Sequence, residues 1–339
     1  MNAPLVVVDA DVLGRRRTGD ETYVLNLLRE LPPLAEAAGL RIAAVTRHPE
    51  LVPVGIEAIA LPGRLQELRM AWTLPRLLRR LGAALVHTQY AVPLRCPCPS
   101  VVTIHDLSFE LDPGVMRRRD RAVFGWAVPR AARASATILT VSERSKRDIV
   151  EIYGIAPAKV VVTPNGVDRI FAPGGGPRDY VLAVGAVVPR KNQIAALLAA
   201  QEVGLPLVVV GPEKDAATAR ALRAKGATLR GHVPLEELVT LYAGAACVVQ
   251  ASHYEGFGLP ALEAMACGVP VVTVPEPALL EVVGDAAVVV EEARLADGIR
   301  LALSDRDRLV AAGLDRVARF SWRAAAETTL AVYREALAR

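Results

Sequence analysis

The chain has 339 residues, of which 52% are hydrophobic and 4% aromatic, and its formal net charge is +4. This length exceeds the size at which a single hydrophobic core usually stops growing, so two domains are expected. The apolar runs are far shorter than the roughly 20 residues of a membrane span, and residues 5–8 lack the basic leader of a signal peptide. We therefore expect a cytoplasmic protein without a membrane-spanning segment.

The cysteines and arginines carry two further predictions. The cysteines follow neither a zinc spacing nor a disulfide framework, and free thiols are expected. They are Cys96, Cys98, Cys247 and Cys267. Arginines cluster at 15–17, 76–80 and 117–121. Such clusters are usually solvated helix faces; peripheral contact with the inner face of an anionic membrane, or with an acidic substrate, is the alternative. The low aromatic content and the lack of a recognised motif argue against nucleic acid.

Short apolar runs alternate with helical patterns in the first half of the chain. A first amphipathic helix is predicted over 21–31, with its end at Pro32-Pro33, and Ser142 is expected to cap a later helix. Alternation of strand and helix over this length predicts an α/β fold with a doubly wound parallel sheet. The apolar runs lie at 5–10, 41–46, 56–61, 84–88, 101–106, 137–142 and 160–163.

His105 and Asp106 stand immediately after the run 101–104. Ligands of parallel α/β sheets bind beyond the carboxyl ends of the strands, so the pair is a site candidate. A hydrogen-bonded loop histidine beside a capping aspartate is the plainer interpretation of the same two residues, and position alone favours it.

The stretch 173–178 interrupts every pattern, because it contains two prolines and three glycines and has no apolar face. Such a composition predicts a hinge linker. The linker would separate an N-terminal domain, 1–172, from a C-terminal domain, 179–318, and a last helical segment, 319–339, follows.

The C-terminal domain opens with a predicted strand at 180–185, and Arg190 and Lys191 lie beyond its carboxyl end, beside a helix start. Two cations and free amides at one point would bind a diphosphate and stabilise the charge that develops on a leaving phosphate. A solvated Arg-Lys pair is the alternative. Further strands are predicted at 207–211 and 286–290, and amphipathic helical patterns at 295–314 and 322–337.

The stretch 247–274 predicts a strand, a glycine loop, a helix and a second strand, which together form one βαβ unit. Pro260 suits the first helical turn and Gly268 the left-handed position that ends a helix. Gly256 and Gly258 let the backbone approach a ligand closely, and the amides that follow point out of a helix N-terminus, where phosphate is favoured.

Glu255 and Glu263 have seven residues between them on this loop and helix. Two carboxylates at different heights are poorly placed as an acid/base pair on one bond, but they suit two polyhydroxyl groups, such as the ribose and the sugar of a sugar nucleotide. The alternative is a solvated loop carboxylate and a helix-dipole partner.

The sequence Glu255-Gly-Phe-Gly-Leu-Pro-Ala-Leu-Glu263, continuing Ala-Met-Ala-Cys-Gly-Val-Pro-Val-Val272, closely resembles the E-x7-E signature of the retaining glycosyltransferases of family GT4. The resemblance implies the GT-B fold, in which two Rossmann-like doubly wound parallel-sheet domains face each other across a cleft. It also implies that the segment 319–339 crosses back to the N-terminal domain. The resemblance is densest between Gly185 and Pro275 and weakest in the acceptor-facing loops.

The resemblance implies roles for the second domain. The segment 184–192 looks like the family's donor-phosphate segment, with Lys191 on its basic position and Arg190 supplying the charge missing at Ala186. Glu255 would position the donor sugar and Glu263 would hold the ribose. The segment 229–237 resembles the turn that borders the nucleotide base. The donor-binding residues expected on this basis are Gly19, Gly185, Arg190, Lys191, His232, Val233, Glu255, Gly256, Phe257, Gly258, Leu259 and Glu263.

In the first domain the resemblance is partial. Thr18-Gly19 corresponds to the family's Gly-Gly loop, with Thr18 in place of the first glycine. The segment 103–109 looks like the His-Asp segment of bacterial mannosyltransferase-like members, so His105 and Asp106 would frame the reacting carbon and the acceptor. Asp9-Ala-Asp11 imitates a D-x-D metal motif, but it ends the first strand, and no metal is assigned.

Together these features predict a metal- and cofactor-independent retaining glycosyltransferase. It would transfer a hexose from a nucleoside-diphosphate sugar to an acceptor hydroxyl on a glycan, a lipid-linked molecule or a small molecule. The resemblance favours GDP-mannose or a related deoxyhexose donor and leaves UDP-glucose-type donors open. Polysaccharide or glycoconjugate synthesis is the implied setting. A nucleotide-sugar 2-epimerase with the same fold and a non-catalytic nucleotide-sugar-binding protein are the alternatives.

Overall fold

The computed structural model describes residues 3–15, 19–61, 63, 65–111 and 118–339, and of Arg118 the backbone alone. The chain forms two compact units, one of Met1–Gly166 with Ser321–Arg339 and one of Val167–Phe320. The predicted linker, 173–178, lies within the second unit. Gly176 packs there against Gly244 so closely that a Cβ on Gly176 would lie 2.4 Å from the Gly244 Cα.

The first unit is built on a seven-stranded parallel sheet with the strand order β3-β2-β1-β4-β5-β6-β7. The order reverses between β1 and β4, as in a doubly wound sheet. Every residue of β1, β4, β5 and β6 is buried, because helices cover both faces of such a sheet. The strands are β1 (Leu5–Asp9), β2 (Arg41–Thr46), β3 (Glu57–Ala60), β4 (Leu85–Gln89), β5 (Ser100–Thr103), β6 (Thr137–Thr140) and β7 (Val160–Val162).

Six helices connect these strands in the described part of the unit, and a π-helical turn, Arg69–Thr73, joins the second helix to the third. The predicted cap is confirmed, because the Ser142 hydroxyl accepts a hydrogen bond of 3.0 Å from the Ser145 amide at the start of α6. The helices are α1 (Gly19–Ala37), α2 (Gln66–Leu68), α3 (Leu74–Leu81), α4 (Ser108–Leu111), α5 (Arg118–Ala134) and α6 (Glu143–Tyr153).

The predicted end of α1 at Pro32-Pro33 is wrong, since the helix continues to Ala37. Each proline removes one helical hydrogen bond. Leu31 and Ala35, however, extend the buried face of the helix by a further turn. Pro33 lies on the exposed side of the helix. The backbone turns away only at Gly39, whose φ of 70° favours glycine.

The second unit repeats the architecture with a six-stranded parallel sheet in the order β10-β9-β8-β11-β12-β13. Its order reverses between β8 and β11. The predicted βαβ unit is confirmed, because β11 and β12 pair in parallel on either side of one helix. The strands are β8 (Val181–Val184), β9 (Leu207–Val210), β10 (Thr228–Gly231), β11 (Cys247–Gln250), β12 (Val271–Thr273) and β13 (Val288–Val289).

One predicted helical pattern of the second unit differs from the structure, near Asp305. There the amphipathic pattern 295–314 divides into two helices, because the backbone at Asp305 leaves helical values (φ −109°, ψ 27°). Pro260 lies in the first turn of its helix, and Gly268 has a φ of 69°, both as predicted. The helices are α7 (Gln193–Glu202), α8 (Ala216–Ala224), α9 (Leu235–Ala243), α10 (Leu259–Ala266), α11 (Pro277–Val283), α12 (Leu295–Ser304) and α13 (Arg306–Val317).

The last helix, α14 (Trp322–Ala338), belongs to the first unit and packs against α1. Two buried side-chain hydrogen bonds in series connect this helix to the sheet. The Tyr333 hydroxyl lies 2.6 Å from His87 Nδ1, and His87 Nε2 lies 2.7 Å from the Thr103 hydroxyl. Among the helices of the described residues, none combines the length and the apolar character that crossing a membrane requires.

Candidate functional site

The glycine loop ends where α10 begins. Gly258 precedes the helix with a φ of 114°, a conformation that side chains rarely adopt. A Cβ at this position would also lie 2.7 Å from Leu279 Cδ2 on the neighbouring helix. Two independent constraints, the backbone conformation and the packing against Leu279, therefore require glycine at position 258. The result is a tight entry into the helix, in which the Ala261 and Leu262 amides donate to the Gly258 carbonyl at 3.0 and 3.3 Å.

Glu255, on this loop, is buried, and two half-buried cations from the segment after β8 lie beside it. Lys191 Nζ donates a hydrogen bond of 2.5 Å to Glu255 Oε1, and Arg190 Nη1 lies 3.9 Å from Glu255 Oε2. Burial acts to raise the pKa of the Glu255 carboxyl, but the charges of Lys191 and then Arg190 outweigh it, and the pKa lies below its ordinary value. The group is therefore a carboxylate at neutral pH, and the cluster of three side chains carries one net positive charge.

Backbone contacts fix these side chains in place. Arg190 Nη1 donates to the Tyr254 carbonyl at 2.8 Å, and the His253 amide donates to the Arg190 carbonyl at 2.9 Å. The two loops thus hold each other on either side of the Lys191–Glu255 pair. Gly185 lies under the lysine, because a Cβ there would be 3.5 Å from Lys191 Cε.

Glu263 lies one turn into α10 and accepts a hydrogen bond of 2.8 Å from the Tyr242 hydroxyl. Burial, and then the charge of Glu263, raise the pKa of Tyr242 well above its ordinary value, so the hydroxyl stays a donor. A carboxylate has about four acceptor positions. One hydrogen bond from Tyr242 orients Glu263 and leaves it the capacity to accept others.

The predicted base-side residues occupy the turn between β10 and α9. His232 is exposed, whereas the Val233 side chain is buried in the core of the unit. The Val233 side chain is thus not available to a ligand, and a contact of this turn with the nucleotide base stays a prediction. Phe257 is buried and packs edge-to-face on Phe320, with ring centroids 5.9 Å apart.

In the first unit, His105 is buried beyond the end of β5. Its Nε2 lies 2.8 Å from Gln89 Oε1, at the end of the adjacent β4, and 3.9 Å from Asp20 Oδ1. The bond to Gln89 requires a proton on Nε2. Asp106 is half-buried and accepts the Ser108 amide at 2.9 Å, which is the capping contact of the plainer interpretation. Any contact of these residues with a substrate stays a prediction.

Two other predicted features lie near the start of α1. Gly19 is its first residue, whereas Thr18 is outside the described residues. Glu21 accepts a hydrogen bond of 2.8 Å from the Gly14 amide, so it orders the loop before the helix.

The two acids of the D-x-D imitation are engaged by arginines. Asp9 forms a bidentate ion pair with the buried Arg69, with N–O distances of 2.6 and 2.8 Å. Asp11 forms a second bidentate ion pair with Arg47, with N–O distances of 2.7 and 3.0 Å. Within the ranges that the structure describes, there is no cluster of three or more His, Cys, Asp or Glu side chains with the geometry of a metal site.

The sequence matches two family profiles in tandem. Residues 17–170 match "Glycosyltransferase Family 4", and residues 171–315 match "Glycosyl transferases group 1". The chain is also 30% identical over 266 residues to the O-antigen chain mannosyltransferase B of Escherichia coli, across 69% of this chain and 70% of that protein. The chain belongs to glycosyltransferase family GT4.

One further comparison is with a relative in sequence and another with a solved structure of the same fold. A D-inositol 3-phosphate glycosyltransferase of Kineococcus radiotolerans is 29% identical across 98% of this chain and 89% of its own length. The crystal structure of Anabaena HepE in complex with UDP-glucose has a TM-score of 0.74 and 15% identity, and the match covers 98% of this chain and 99% of that one. The GT4 protein thus has the GT-B fold with two Rossmann-like parallel-sheet domains, and it is a glycosyltransferase that uses a nucleotide sugar.

Sequence reasoning missed several residues around the site of this GT4 glycosyltransferase. Gln89, Tyr90 and Gln193 were not singled out. Gln89 follows the rule that selected His105, because it is a polar residue at the end of a buried strand. Tyr90 has a φ of 59°, which the sequence does not predict. The Gln193 side-chain amide donates to the Ala186 carbonyl at 2.9 Å, and this hydrogen bond fixes the segment before Lys191.

Proposed function

We propose that this GT4 glycosyltransferase transfers mannose from GDP-mannose to an acceptor hydroxyl with retention of configuration. The observation that carries the proposal is the Lys191–Glu255 pair, which lies with Arg190 beside the entry into α10. The two cations, beside the N-terminus of α10, suit the diphosphate of a sugar nucleotide, and Glu255 and Glu263 suit hydroxyl groups on its two sides.

In this proposal the residues act mainly through charge. Lys191 and Arg190 neutralise the phosphate oxygens as the glycosidic bond to the diphosphate breaks. Glu263 accepts a hydrogen bond from the ribose, and Glu255 accepts one from the sugar. The acceptor hydroxyl attacks the anomeric carbon on the face from which the diphosphate leaves, and its proton passes to the leaving phosphate oxygen.

Retention by this route needs no nucleophile from the protein. The strong ion pair of Glu255 supports that assignment, because a carboxylate held by Lys191 at 2.5 Å is a poor nucleophile. His105, with its Nε2 proton directed to Gln89, is proposed to frame the reacting carbon and the acceptor together with Asp106. The transfer proposed in this way requires no metal ion.

The donor is the finer part of the proposal. The resemblance of the segment 103–109 to mannosyltransferases, and the E. coli relative that bears that name, favour GDP-mannose. The HepE complex with UDP-glucose represents the competing donor class. The acceptor is proposed to be a hydroxyl of a growing polysaccharide or glycoconjugate.

Thermal unfolding with a panel of nucleoside diphosphates tests the donor. A nucleotide at about 100 times its Kd stabilises the native state by about 2.7 kcal/mol. At equal concentrations the nucleotide that binds most tightly raises the Tm most, and we expect this nucleotide to be GDP rather than UDP or ADP. A larger effect of UDP would overturn the choice of GDP-mannose. Product analysis with GDP-mannose alone then separates the reactions. Epimerised sugar would identify a 2-epimerase, and donor that is bound but unchanged with every hydroxyl acceptor tried would identify a binding protein.

A further inference from the structure

Large apolar side chains are exposed on one surface of the first unit. Trp72 is 55% exposed and Trp126 58%, whereas the third tryptophan of the chain, Trp322, is 5% exposed. Three leucines from neighbouring segments are also exposed. We call this surface the tryptophan face, and its apolar members are Leu65, Leu68, Trp72, Leu94 and Trp126.

Direct contacts join the three segments that carry these residues, which are α2 with the π-helical turn, the loop after β4, and α5. The Leu94 amide donates to the Met70 carbonyl at 3.2 Å, which joins the loop after β4 to the π-helical turn. Arg130 of α5 donates to the Leu94 carbonyl at 2.8 Å, and Arg119 of α5 lies 3.8 Å from the Glu67 carboxylate of α2. The segments that carry the face, namely α2 with the π-helical turn, the loop after β4, and α5, are therefore in direct contact with one another.

The exposure does not come from a loosely attached helix. Met70, Leu74, Leu77 and Leu78 bury the opposite side of the same helical segment in the core of the unit. The segment thus has a buried apolar side and a second apolar row on its outer side, at positions 65, 68 and 72. A surface helix of a globular protein normally has only the buried apolar side, and its outer side is polar.

Arginines accompany the exposed rings. The Arg76 guanidinium lies 5.1 Å from the centroid of the Trp72 ring, and that of Arg130 lies 5.9 Å from the centroid of the Trp126 ring. Arg79 and Arg80 are exposed in the last turn of the helix that begins at Leu74. The face therefore combines tryptophan, leucine and several fixed positive charges.

We propose that the tryptophan face binds peripherally to the surface of an anionic phospholipid bilayer. Tryptophan is favoured at the boundary between lipid head groups and acyl chains, where its ring is buried and its N–H stays hydrated. Exposed leucines gain free energy by entering the acyl region, and arginines at the same level attract anionic head groups. A bilayer meets all three requirements of the face, since it is apolar beneath a negatively charged surface.

Sedimentation with lipid vesicles tests the inference on the full chain without any sugar nucleotide, so its outcome is separate from that of the proposed function. We expect binding to vesicles of phosphatidylglycerol mixed with phosphatidylcholine and little binding to phosphatidylcholine alone. Each arginine near the surface contributes about a five-fold increase in binding. The triple variant R76E/R79E/R80E should therefore bind roughly 100-fold more weakly.

A matched control reverses three exposed cations of the second unit, K214E/R220E/K225E, and should bind as the wild type does. The double variant W72S/W126S tests the apolar contribution. In the wild type, lipids with brominated acyl chains should quench the fluorescence of Trp72 and Trp126. In the variant W72F/W126F, the remaining signal of the buried Trp322 should be insensitive to them. Circular dichroism spectra and Tm values close to those of the wild type would show that each variant is folded.

Three outcomes would overturn the proposal. These are equal sedimentation with neutral and anionic vesicles, an equal loss in the control triple variant, and unquenched tryptophan fluorescence on bound vesicles. A dimer in solution that W72S/W126S dissociates would instead identify the face as an interface between two copies of the chain, and it would also exclude the lipid assignment.

Discussion

Lys191 and Glu255 form an ion pair of 2.5 Å, although 64 positions separate them in the chain. Their strands explain the contact. Lys191 follows β8 and Glu255 follows β11, and these two strands are neighbours at the point where the strand order of the second sheet reverses. Connections leave such a point in opposite directions and open a crevice at the carboxyl ends of the strands, where ligands of doubly wound sheets bind.

Removing the lysine charge should abolish most of the activity. If Lys191 stabilises the leaving diphosphate, Lys191→Ala should lower kcat about 100- to 1000-fold, the usual effect of losing one charge-stabilising group. Initial rates at saturating donor measure the change. The exposed Lys214, in the same unit, provides the control, and Lys214→Ala should behave as the wild type does. A kcat for Lys191→Ala within a few-fold of wild type would exclude the role of this lysine.

The same pair should shape stability at acid pH. The pKa of Glu255 is lowered in the native state, because Lys191 and then Arg190 outweigh the effect of burial. The stability that the ionised pair contributes is therefore complete above the ordinary pKa of 4.5 and is lost as pH falls through the lowered native pKa. Urea unfolding of Glu255→Gln across this range should show a smaller loss on acidification than wild type. The exposed Glu236 supplies the control, and a Glu255→Gln profile parallel to that of Glu236→Gln would contradict the prediction.

Gly258 should tolerate no side chain. Gly258→Ala combines a left-handed φ of 114° with a contact of 2.7 Å to Leu279 Cδ2, whereas Gly39→Ala meets only a φ of 70° with open space around it. We expect Gly39→Ala to destabilise by about 1–2 kcal/mol and Gly258→Ala by about 1–3 kcal/mol more. Urea midpoints measure both. Adding Leu279→Ala tests the packing part, since the effect of Gly258→Ala should be smaller in that background.

Gln89 should act on the reaction through His105. Gln89→Ala removes the acceptor that lies 2.8 Å from His105 Nε2 and leaves this buried imidazole free to reorient. We expect kcat to fall while GDP still raises the Tm as in the wild type, because the groups proposed to bind the donor diphosphate lie in the second unit. Gln66→Ala, at an exposed glutamine of the same unit, should change neither quantity. A decrease of kcat and of the GDP effect together would show general damage rather than positioning of His105.

The local features of the site could be predicted from sequence because neighbouring residues determine them. Pro260 and Gly268 bound α10 by their own backbone preferences. The contact between Lys191 and Glu255 depends instead on which strands are neighbours, so the sequence indicated both residues but not the pair. Arg69 is a stronger case, since the partner of Asp9 comes from a π-helical turn 60 positions away. No local pattern distinguishes this buried arginine from the exposed ones in the same segment.

His87 should make the first unit sensitive to mild acid. Burial, followed by the nearby His105, lowers the pKa of His87 from 6.5 to about 3, so the native state keeps the imidazole neutral while the unfolded chain binds a proton. Stability should therefore decrease as pH falls below 6.5, by about 1.4 kcal/mol for each pH unit, until the native pKa is reached. His87→Gln removes this titration but weakens the contacts to Tyr333 and Thr103, so it should be less stable at pH 7 yet lose less stability on acidification. Urea unfolding between pH 6.5 and 5, above the range of most carboxylates, measures the two slopes, and equal slopes would show that His87 is not the acid-sensitive group.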